Sequence, residues 1–450
     1  MPQSLSVLLV ISVVGKFLFF MFSIESVRTG FSLPISEAWK DYAYAYIPTV
    51  QAFKDGHLPY RDFFHAYPSL FLYALTLFSF LPYFWSMALP LVISDALTVV
   101  PVYLIGKRLF SERSAFIASL LFALAPINLI YVDYVWLNPP MATLFLMASA
   151  YFLLTGRYDF SALTLALSIG FKQTSILALP IVLLFLAKKL SRKMASRYFM
   201  IVASICFAFS IPYIFVEPRL YLYSIFRVPI SSWGELPEKY FQLGFTSPSG
   251  STTIDTASLD WYELKWMEYV PLNAPASLSL PILIFLLPKM TSDMYFKADI
   301  MLKILLFIAY GLLLHRTHVK EVENSALVRY LLYSLLILFT FNPIYKYYVA
   351  GVTPLLSLLV QKRRSIVAFE AFNFALLAVP RLFTSYLLLL LLAGLLEPRL
   401  SMMCRRKKGE FQVSETMTLA DSFRIQKRLS AYLPEASVRL SSSRTARRSF

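Results

Sequence analysis

Residues 41–76 read DYAYAYIPTVQAFKDGHLPYRDFFHAYPSLFLYALT, a charged and aromatic stretch that separates two apolar parts of the chain. Upstream of it, residues 5–24 are mostly apolar, although Lys16 interrupts them, and they are long enough to cross a membrane. Downstream, the chain becomes apolar again at Tyr67-Pro68. The stretch is therefore predicted to be a loop at a membrane surface, between a first membrane-spanning helix and the rest of the chain.

The composition indicates a membrane protein with many spans. Of the 450 residues, 58% are hydrophobic and 15% are charged, whereas a soluble domain has about 25% charged residues. Apolar runs of about 20 residues recur, which is the length of a helix that crosses a hydrocarbon core of about 30 Å. Helices also satisfy their own backbone hydrogen bonds in lipid. The sequence therefore predicts an all-α, polytopic transmembrane helix bundle with about 11 to 14 spans and a long first external loop that carries interfacial helices.

The charges predict the orientation and the division of the chain. Basic side chains cluster at 188–193 and in the Ser- and Arg-rich segment 398–450, while the long loops 24–66 and 217–272 are comparatively acidic. Because basic loops stay in the cytoplasm, the two long loops are predicted to be external. We expect a transmembrane domain at 1–397, a disordered cytoplasmic tail at 398–450, and a multi-pass location in the plasma membrane or an equivalent membrane.

One part of this topology is inconsistent. From the external loop 24–66, the apolar runs 67–84 and 86–105 lead to the basic residues at 106–108. Two complete crossings would leave those basic residues outside, against the rule that places them in the cytoplasm. At least one apolar run is therefore predicted to be re-entrant, broken or parallel to the membrane, as is tolerated where a run lines a protein cavity.

Asp41 is the first candidate for chemistry. Residues 35–53 have helix-like spacing, and a helix lying on the membrane surface would hold Asp41 at the depth of lipid headgroups. There a carboxylate can act as general base on a hydroxyl group. The alternative is a solvated acid that pairs with Lys40 or Arg61. The aromatic side chains expected to rest on the interface are Trp39, Tyr42, Tyr46 and Phe53.

The segment Tyr60-Arg61-Asp62 offers a second group of polar side chains. The planar guanidinium of Arg61 is suited to hold a phosphate by two hydrogen bonds. Arg61 is equally suited to pair with Asp62 or Asp55. The segment also has the composition of an ordinary loop end before a helix.

Other ionisable side chains add weaker candidates. His57 and His65 lie in the same loop and could bind phosphate or assist proton transfer, although loop histidines usually do neither. Lys172 lies within the apolar segment 161–187, which we expect to form two half-helices with Lys172 at a polar tip. An ionisable residue inside an apolar segment suggests a functional role, whereas near a helix end it often only reaches towards the interface.

Several classes of function are disfavoured. The two cysteines, Cys206 and Cys404, form no disulfide framework and no metal site. His315 and His318 are spaced to share a metal on a helix, but no further ligands accompany them. We therefore predict no cofactor and no metal site. A divalent cation stays an open alternative that the sequence does not support. The net charge of +16 lies in loops and a tail beside spans, which indicates anionic lipid as a partner and not nucleic acid.

The pattern in the first loop resembles that of GT-C superfamily glycosyltransferases, multi-span enzymes that use polyprenyl-phosphate sugars. In that superfamily an acidic residue soon after the first span is the catalytic base, and Asp41 falls on this position. Tyr46 falls on a following tyrosine, Gly56 on the glycine of a turn, and residues 59–63 on a P-Y-x-D-F-like segment. Tyr67-Pro68 falls on the start of the next apolar run.

The resemblance extends to three later segments. Asn138 occupies the place where many members have an acid before a span, and Asp133 lies five residues earlier. The same segment also resembles an ordinary helix start, because proline is favoured in the first helical turn. Lys172 and Lys346 lie in short polar breaks that resemble breaks in these enzymes. The chain departs from the pattern at Ser69, where a second proline is usual, and this leaves the donor sugar open.

The resemblance implies a membrane glycosyltransferase that transfers a hexose, with mannose as a guess, from a polyprenyl- or dolichyl-phosphate sugar. The acceptor would be a glycan, a lipid or a protein on the external face, and the configuration would invert. Asp41 would be the catalytic residue. The other predicted site residues, taken to bind substrate, are Tyr46, His57, Tyr60, Arg61, Asp62, His65, Asp133, Asn138, Lys172 and Lys346. Two alternatives remain at this point: a flippase or transporter of lipid-linked sugars, and a non-catalytic membrane scaffold.

Overall fold

A computed structural model describes residues 3–31, 33, 39, 41–226, 292–319, 324–341, 346–360 and 363–378. The α-helices are α1 (Gln3–Thr29), α2 (Ile47–Lys54), α3 (Ser69–Leu77), α4 (Tyr83–Leu97), α5 (Val99–Leu109), α6 (Glu112–Ala123), α7 (Pro126–Asn128), α8 (Pro140–Leu154), α9 (Tyr158–Phe171), α10 (Ala178–Lys189), α11 (Arg192–Val216), α12 (Pro218–Phe226), α13 (Ser292–Val319), α14 (Asn324–Phe341), α15 (Thr353–Leu359) and α16 (Arg363–Ala378). Within these ranges the chain forms helices and turns, with a single isolated bridge between Pro59 and Phe63.

The predicted all-α membrane fold is confirmed. In the described part of the chain, five helical stretches are long and apolar enough to cross a membrane, and four shorter apolar helices accompany them. The five stretches are Gln3–Thr29, Trp85–Leu109, Glu112–Tyr134, Arg192–Val216 and Ile300–Thr317. The predicted spans 273–288 and 383–396, most of the loop 217–272 and the tail 398–450 lie outside the described residues. The total number of spans and the domain boundary therefore stay predictions.

The apolar run 67–84 does not form a span, which corrects the predicted topology. Helix α3 has nine residues and is about 14 Å long, less than half of a hydrocarbon core of about 30 Å. The chain then turns, with the backbone N–H of Leu81 donating to the carbonyl of Phe78 (3.0 Å). Pro82 follows and precedes α4, and a residue before proline is disfavoured in a helix. The run is thus broken by its own sequence.

Helices α4 and α5 together make one crossing, and this resolves the charge inconsistency. Lys107 Nζ lies 3.3 Å from the carboxylate of Glu112, and Ser4 Oγ donates to the same carboxylate (2.8 Å). The charge of Lys189 interacts with that of Arg108. The start of α1, the end of α5 and the end of α10 therefore share one end of the bundle. We call it the basic end.

Two helices that begin at the basic end are capped by serine. The side chain of Ser111 accepts a hydrogen bond from the backbone N–H of Ser114 at the start of α6 (3.2 Å). Ser191 does the same for the N–H of Met194 at the start of α11 (3.2 Å). Such caps satisfy backbone donors that have no partner within the helix. They fix where the chain turns back into the bundle.

The apolar segment 161–187 is a helical hairpin with a break at Lys172. Helix α9 ends at Phe171 because Lys172 is extended (φ −153°, ψ 118°), and a short 3₁₀ helix, Gln173–Leu177, leads into α10. Asp159 at the start of α9 pairs with Arg197 near the start of α11 (2.6 Å). The hairpin therefore rises from the basic end. With 14 residues in α9, Lys172 lies about 20 Å from that end, within the membrane thickness.

A charged cluster ties the first helix to the bundle interior. Lys16 is fully buried in α1, hydrogen-bonds to Asp95 of α4, and lies 3.4 Å from the carboxylate of Asp133. Asn128 Nδ2 donates to the other oxygen of Asp95 (2.9 Å). Lys16 is 13 residues into α1, or about 20 Å along it, so the cluster lies at mid-membrane depth. Charges are retained at such depth only when they are paired.

We expect Lys16→Met to destabilise the protein by about 3 to 5 kcal/mol, because it leaves two buried carboxylates without a counter-charge. Asp133→Asn should have a much smaller effect, since it leaves the balanced pair of Lys16 and Asp95. Thermal unfolding of the purified protein in detergent measures both changes. Lys107→Met removes an exposed pair and serves as the control, because exposed ion pairs contribute little. Equal losses for all three variants would contradict this role of the cluster.

Candidate active site

The segment that begins at Asp41 forms the first wall of the site. It folds into a π-helical turn, Tyr42–Tyr46, that continues directly into α2. Tyr42 and Tyr46 share a face because they are four residues apart. Both are buried in the protein: the ring of Tyr42 packs edge-on against Trp136 (4.9 Å between centroids), and the ring of Tyr46 packs against Phe71 (5.3 Å). The prediction that these two tyrosines rest on the membrane interface is therefore wrong.

The loop that follows a second π-helical turn, Leu129–Tyr134, forms the next wall. Trp136 adopts a left-handed backbone conformation (φ 63°) and places Asn138 between two other site residues. The N–H of Asn138 donates to the hydroxyl of Tyr46 (3.1 Å), and its carbonyl accepts from Lys172 Nζ (2.6 Å). The side chain of Asn138 is fully buried, and its amide has no hydrogen-bond partner among the described residues. The structure thus brings together three residues that the sequence analysis proposed separately.

Lys172 is enclosed by aromatic rings. Its Nζ lies 3.9 Å from the ring centroid of Tyr348, 5.3 Å from that of Tyr347 and 5.9 Å from that of Tyr67. Tyr67 hydrogen-bonds to both Tyr46 and Tyr347. We call Tyr46, Tyr67, Tyr347 and Tyr348 the tyrosine cluster. A buried ammonium is stabilised by ring faces, and its remaining donors can bind an anion.

Asp41 lies at the edge of this arrangement and lines a cavity of about 330 Å³, open solvent included. The side chain is partly buried. In the part of the chain that the structure describes, no cation lies within ion-pair distance of Asp41. Burial raises the pKa of Asp41 to about 6, and the charge of Lys172 acts in the opposite direction. A carboxylate that titrates near neutral pH is suited to act as a general base.

Lys172 lines a second cavity of about 350 Å³, open solvent included. Its walls come from α8, from α14 and from the 3₁₀ helix Lys346–Gly351. Apart from Lys172 the lining is largely apolar, as at Leu146, Leu335 and Phe339. We call the two spaces the Asp41 cavity and the Lys172 cavity. Tyr46 and Tyr67 line the first and Tyr348 lines the second, so the tyrosine cluster stands between them.

Three other predicted residues of the first loop have different surroundings. Arg61 is exposed and its guanidinium forks onto the carboxylate of Asp62 (2.7 and 2.8 Å). The same carboxylate accepts the backbone N–H of Leu58 (2.7 Å) and so closes the turn. His57 is exposed. None of the three lines either cavity, so they are placed to shape the loop or to meet solvent.

Four predicted site residues remain, and each has different surroundings. Tyr60 is buried with a left-handed backbone (φ 69°), and its hydroxyl donates to the carbonyl of Tyr67 (2.6 Å). His65 lines the Asp41 cavity. Asp133 contacts Lys16 instead of the cavities. Lys346 begins the short 3₁₀ helix beside the tyrosine cluster, and its side chain lies outside the described residues.

Over the described ranges, no group of three or more His, Cys, Asp or Glu side chains could hold a metal.

Sequence reasoning missed most of the tyrosine cluster. In the sequence, Tyr67 is only the start of an apolar run, and neither Tyr347 nor Tyr348 stands out as a site residue. A usable signal was present, since two adjacent tyrosines follow Lys346 in a short polar break between apolar runs. Aromatic side chains at such a break indicate either a membrane interface or a binding site. Only the fold shows that these face Lys172.

Comparison with known proteins gives one family. Residues 67–215 match the model of the dolichyl-phosphate-mannose-protein mannosyltransferase family. A search of curated protein sequences gave no significant match. The matched segment contains Asn138 and Lys172 but ends short of Asp41 on the N-terminal side and of Tyr348 on the C-terminal side.

Solved structures of an archaeal enzyme are also similar. The apo crystal structure of the Archaeoglobus fulgidus oligosaccharyltransferase has a TM-score of 0.45 and 14% identity, covering 89% of this chain and 55% of that one. The same organism's oligosaccharyltransferase AglB, in complex with an inhibitory peptide and a dolichol-phosphate, has a TM-score of 0.43 and 13% identity, covering 90% and 55%. This chain thus spans about half the length of those proteins.

The family match includes the part of the chain that carries the buried lysine of the site, Lys172. Its description concerns glycosyltransferases that use a lipid-phosphate sugar, and the matched segment supplies the buried cation of the site. The predicted resemblance to GT-C glycosyltransferases is therefore confirmed, through a match over residues 67–215 to the dolichyl-phosphate-mannose-protein mannosyltransferase family.

Proposed function

We propose that this protein transfers a hexose, with mannose as the first candidate, from a polyprenyl- or dolichyl-phosphate sugar to a hydroxyl acceptor, with inversion of configuration. One observation carries the proposal. A carboxylate, Asp41, and a buried cation, Lys172, lie on two cavities that meet at one tyrosine cluster inside a membrane bundle. The family match over residues 67–215 supports a lipid-linked donor.

The reaction needs one base and one cation. Asp41 accepts the proton of the acceptor hydroxyl as its oxygen bonds to the anomeric carbon of the sugar. The bond between that carbon and the phosphate oxygen breaks, and the lipid phosphate leaves with one more negative charge. Lys172 stabilises this charge in a site with little water, where electrostatic interactions are strong. The phosphate is a good leaving group, so no general acid is required.

The Lys172 cavity suits the lipid part of the donor. Its lining places apolar side chains, including Leu335 and Phe339, in the same cavity as the cation. A donor phosphate on Lys172 would therefore have apolar surface for the first isoprenoid units beside it. The sugar would then point across the tyrosine cluster towards Asp41.

The placement of the site supports chemistry on the external side. Lys172 and Asn138 lie at the end of α9 and the start of α8, about 20 Å away from the basic end. The basic end carries Lys107, Arg108 and Lys189, and such ends stay in the cytoplasm. The site would then face the opposite compartment.

Reconstituted protein supplies the direct test. Liposomes would receive radiolabelled dolichyl-phosphate mannose, or the glucose donor for comparison, together with glycoside and peptide acceptors. We expect sugar to move to an acceptor with inverted configuration at the anomeric carbon. Movement of labelled lipid between leaflets without sugar transfer would indicate a flippase. Folded protein that does neither would indicate a scaffold.

The rate of transfer should depend on pH. Because Asp41 acts as a base only when it is ionised, and burial raises its pKa to about 6, kcat/KM should rise about tenfold per pH unit below that value and bend near it. Measurement of initial rates from about pH 4.5 to pH 8 shows the profile. A profile that is flat in this range, or that turns near the ordinary pKa of an aspartate, would contradict the assignment.

A further inference from the structure

The Asp41 cavity contains a buried histidine that the proposed reaction does not use. His65 is only 3% exposed, and its Nε2 has no hydrogen-bond partner among the described residues. It lines the same cavity as Asp41. Buried polar atoms are nearly always hydrogen-bonded. A buried polar atom without a partner beside a reacting group therefore suggests that a ligand forms the missing hydrogen bond.

The imidazole is held in place by its neighbours. Its ring packs edge-on against Tyr60 (5.8 Å between centroids) and against Tyr67 (5.9 Å). Tyr60 is itself anchored by its hydrogen bond to the carbonyl of Tyr67. The histidine therefore belongs to the folded frame of the first loop. A fixed donor or acceptor of this kind selects a ligand by position.

The charge in the cavity excludes phosphate as its ligand. Burial lowers the pKa of His65 to about 3, so the imidazole is neutral at physiological pH and has one N–H donor and one acceptor nitrogen. Asp41 supplies the charge in this cavity, and no lysine or arginine is among the described residues that line it. An anion would be repelled there, whereas the Lys172 cavity would attract one.

The remaining lining fits a sugar. The cavity offers a carboxylate at Asp41, the neutral imidazole of His65 and the aromatic surfaces of Phe64 and Tyr67. A serine or threonine side chain would bring a single hydroxyl to Asp41 and leave His65 unpaired. A sugar ring carries several hydroxyls, so one can react while another binds, and its carbon face can pack on an aromatic ring.

We propose, on the basis of the function proposed above, that the Asp41 cavity is the acceptor site, that the acceptor is a neutral sugar of a glycan or glycolipid, and that His65 Nε2 hydrogen-bonds a hydroxyl of that sugar other than the reacting one. His65 is thus a residue that positions the acceptor and sets specificity. The donor phosphate binds on the Lys172 side of the tyrosine cluster.

Binding without turnover tests this assignment. The probe is methyl mannoside together with its set of single-deoxy analogues, titrated by calorimetry against purified protein in detergent. We expect His65→Ala to weaken mannoside binding about tenfold, as loss of one hydrogen bond inside a buried site does. His65→Gln should recover most of it, since an amide can also form the bond. His315→Gln changes an exposed histidine of α13 and is the matched control.

The deoxy analogues identify the bond itself. One analogue should bind wild-type protein about tenfold more weakly and lose nothing further in His65→Ala, because two changes to one interaction are not additive. In transfer assays His65→Ala should raise the acceptor KM about tenfold, leave the donor KM within twofold, and keep the pH profile of the wild type. A merely structural role would move both KM values and would not depend on one hydroxyl.

Several outcomes would overturn the proposal. They are unchanged mannoside binding in His65→Ala, a rise in the donor KM alone, and transfer to serine or threonine peptides but to no glycoside. Mannoside binding that depends on His65 without any sugar transfer would count against the proposed enzyme function and would still support His65 as a sugar-binding residue. The two failures are therefore distinguishable.

Discussion

Asp41→Asn is expected to lower kcat for sugar transfer by about a hundredfold to ten-thousandfold, the range that a general base contributes. Asparagine keeps the shape of the side chain but cannot accept the proton of the acceptor hydroxyl. Donor affinity should change little, because we propose that the donor phosphate binds at Lys172, across the tyrosine cluster from Asp41. Initial rates with a radiolabelled dolichyl-phosphate sugar and a glycoside acceptor measure kcat, and donor titration in detergent measures affinity.

Asp55→Asn is the matched control for this experiment. Asp55 lies in the same loop, is exposed, and accepts a hydrogen bond from Gln51 (2.9 Å). It should transfer sugar at the wild-type rate. Undiminished transfer by folded Asp41→Asn protein would remove Asp41 from the mechanism. A loss of the same size in Asp55→Asn would show that any change to the loop is enough.

Lys172→Met should reduce kcat/KM by about a hundredfold to a thousandfold, the size of effect seen when one group that stabilises transition-state charge is removed. Unlike the change at Asp41, it should also weaken donor binding, since the ammonium meets the phosphate before and after the bond breaks. The methionine side chain is nearly as long and is apolar, so the space between the aromatic rings that surround Lys172 stays filled. Donor titration and single-turnover transfer separate the two effects.

Lys172→Arg tests whether charge alone is sufficient. Arginine keeps the positive charge, but its guanidinium is wide and planar, and Lys172 Nζ lies only 3.9 Å from the ring centroid of Tyr348. We expect Lys172→Arg to recover donor binding in part and turnover less. Lys54→Met changes an exposed lysine at the end of α2 and should behave as wild type. Normal donor binding in Lys172→Met would place the phosphate elsewhere.

The sequence predicted the separate parts of the site better than their arrangement. Tyr46, Asn138 and Lys172 were proposed from loop patterns and from one charge in an apolar segment, and the fold joins them through hydrogen bonds of 3.1 and 2.6 Å. The order of these residues in the chain does not show how far apart they lie in the fold. The contact between them depends on the turn at Trp136 and on the break after α9, which are tertiary features.

Hydropathy failed where two apolar environments had to be distinguished. Tyr42 and Tyr46 form one face of a helix whether that face meets lipid or protein, so the pattern could not tell which. The run 67–84 was equally ambiguous, because α3 and the start of α4 are both apolar and only Leu81-Pro82 marks the turn between them. The average hydropathy of a stretch long enough to span a membrane does not reveal a turn of two residues within it.

The charged cluster at mid-membrane depth was missed because its members are far apart in the chain. In the sequence, Lys16 is only an interruption of the first apolar run. Its partners Asp95 and Asp133 are 79 and 117 residues away. Three ionisable residues inside three apolar runs are a detectable signal, since such residues pair with one another in membranes. This signal predicts that Lys16 pairs with an acidic residue of another helix. It does not predict whether Asp95 or Asp133 lies nearer to Lys16.

The shortness of α8, α9 and α10 bears on how the lipid donor reaches the protein. With 15, 14 and 12 residues, these helices are about 18 to 23 Å long, so they leave a gap of several ångströms below a hydrocarbon core of about 30 Å. A bilayer meets such hydrophobic mismatch by thinning. Such thinning would lower the headgroup layer towards Lys172, so that a phosphate could arrive sideways while still hydrated and its tail would stay in the leaflet.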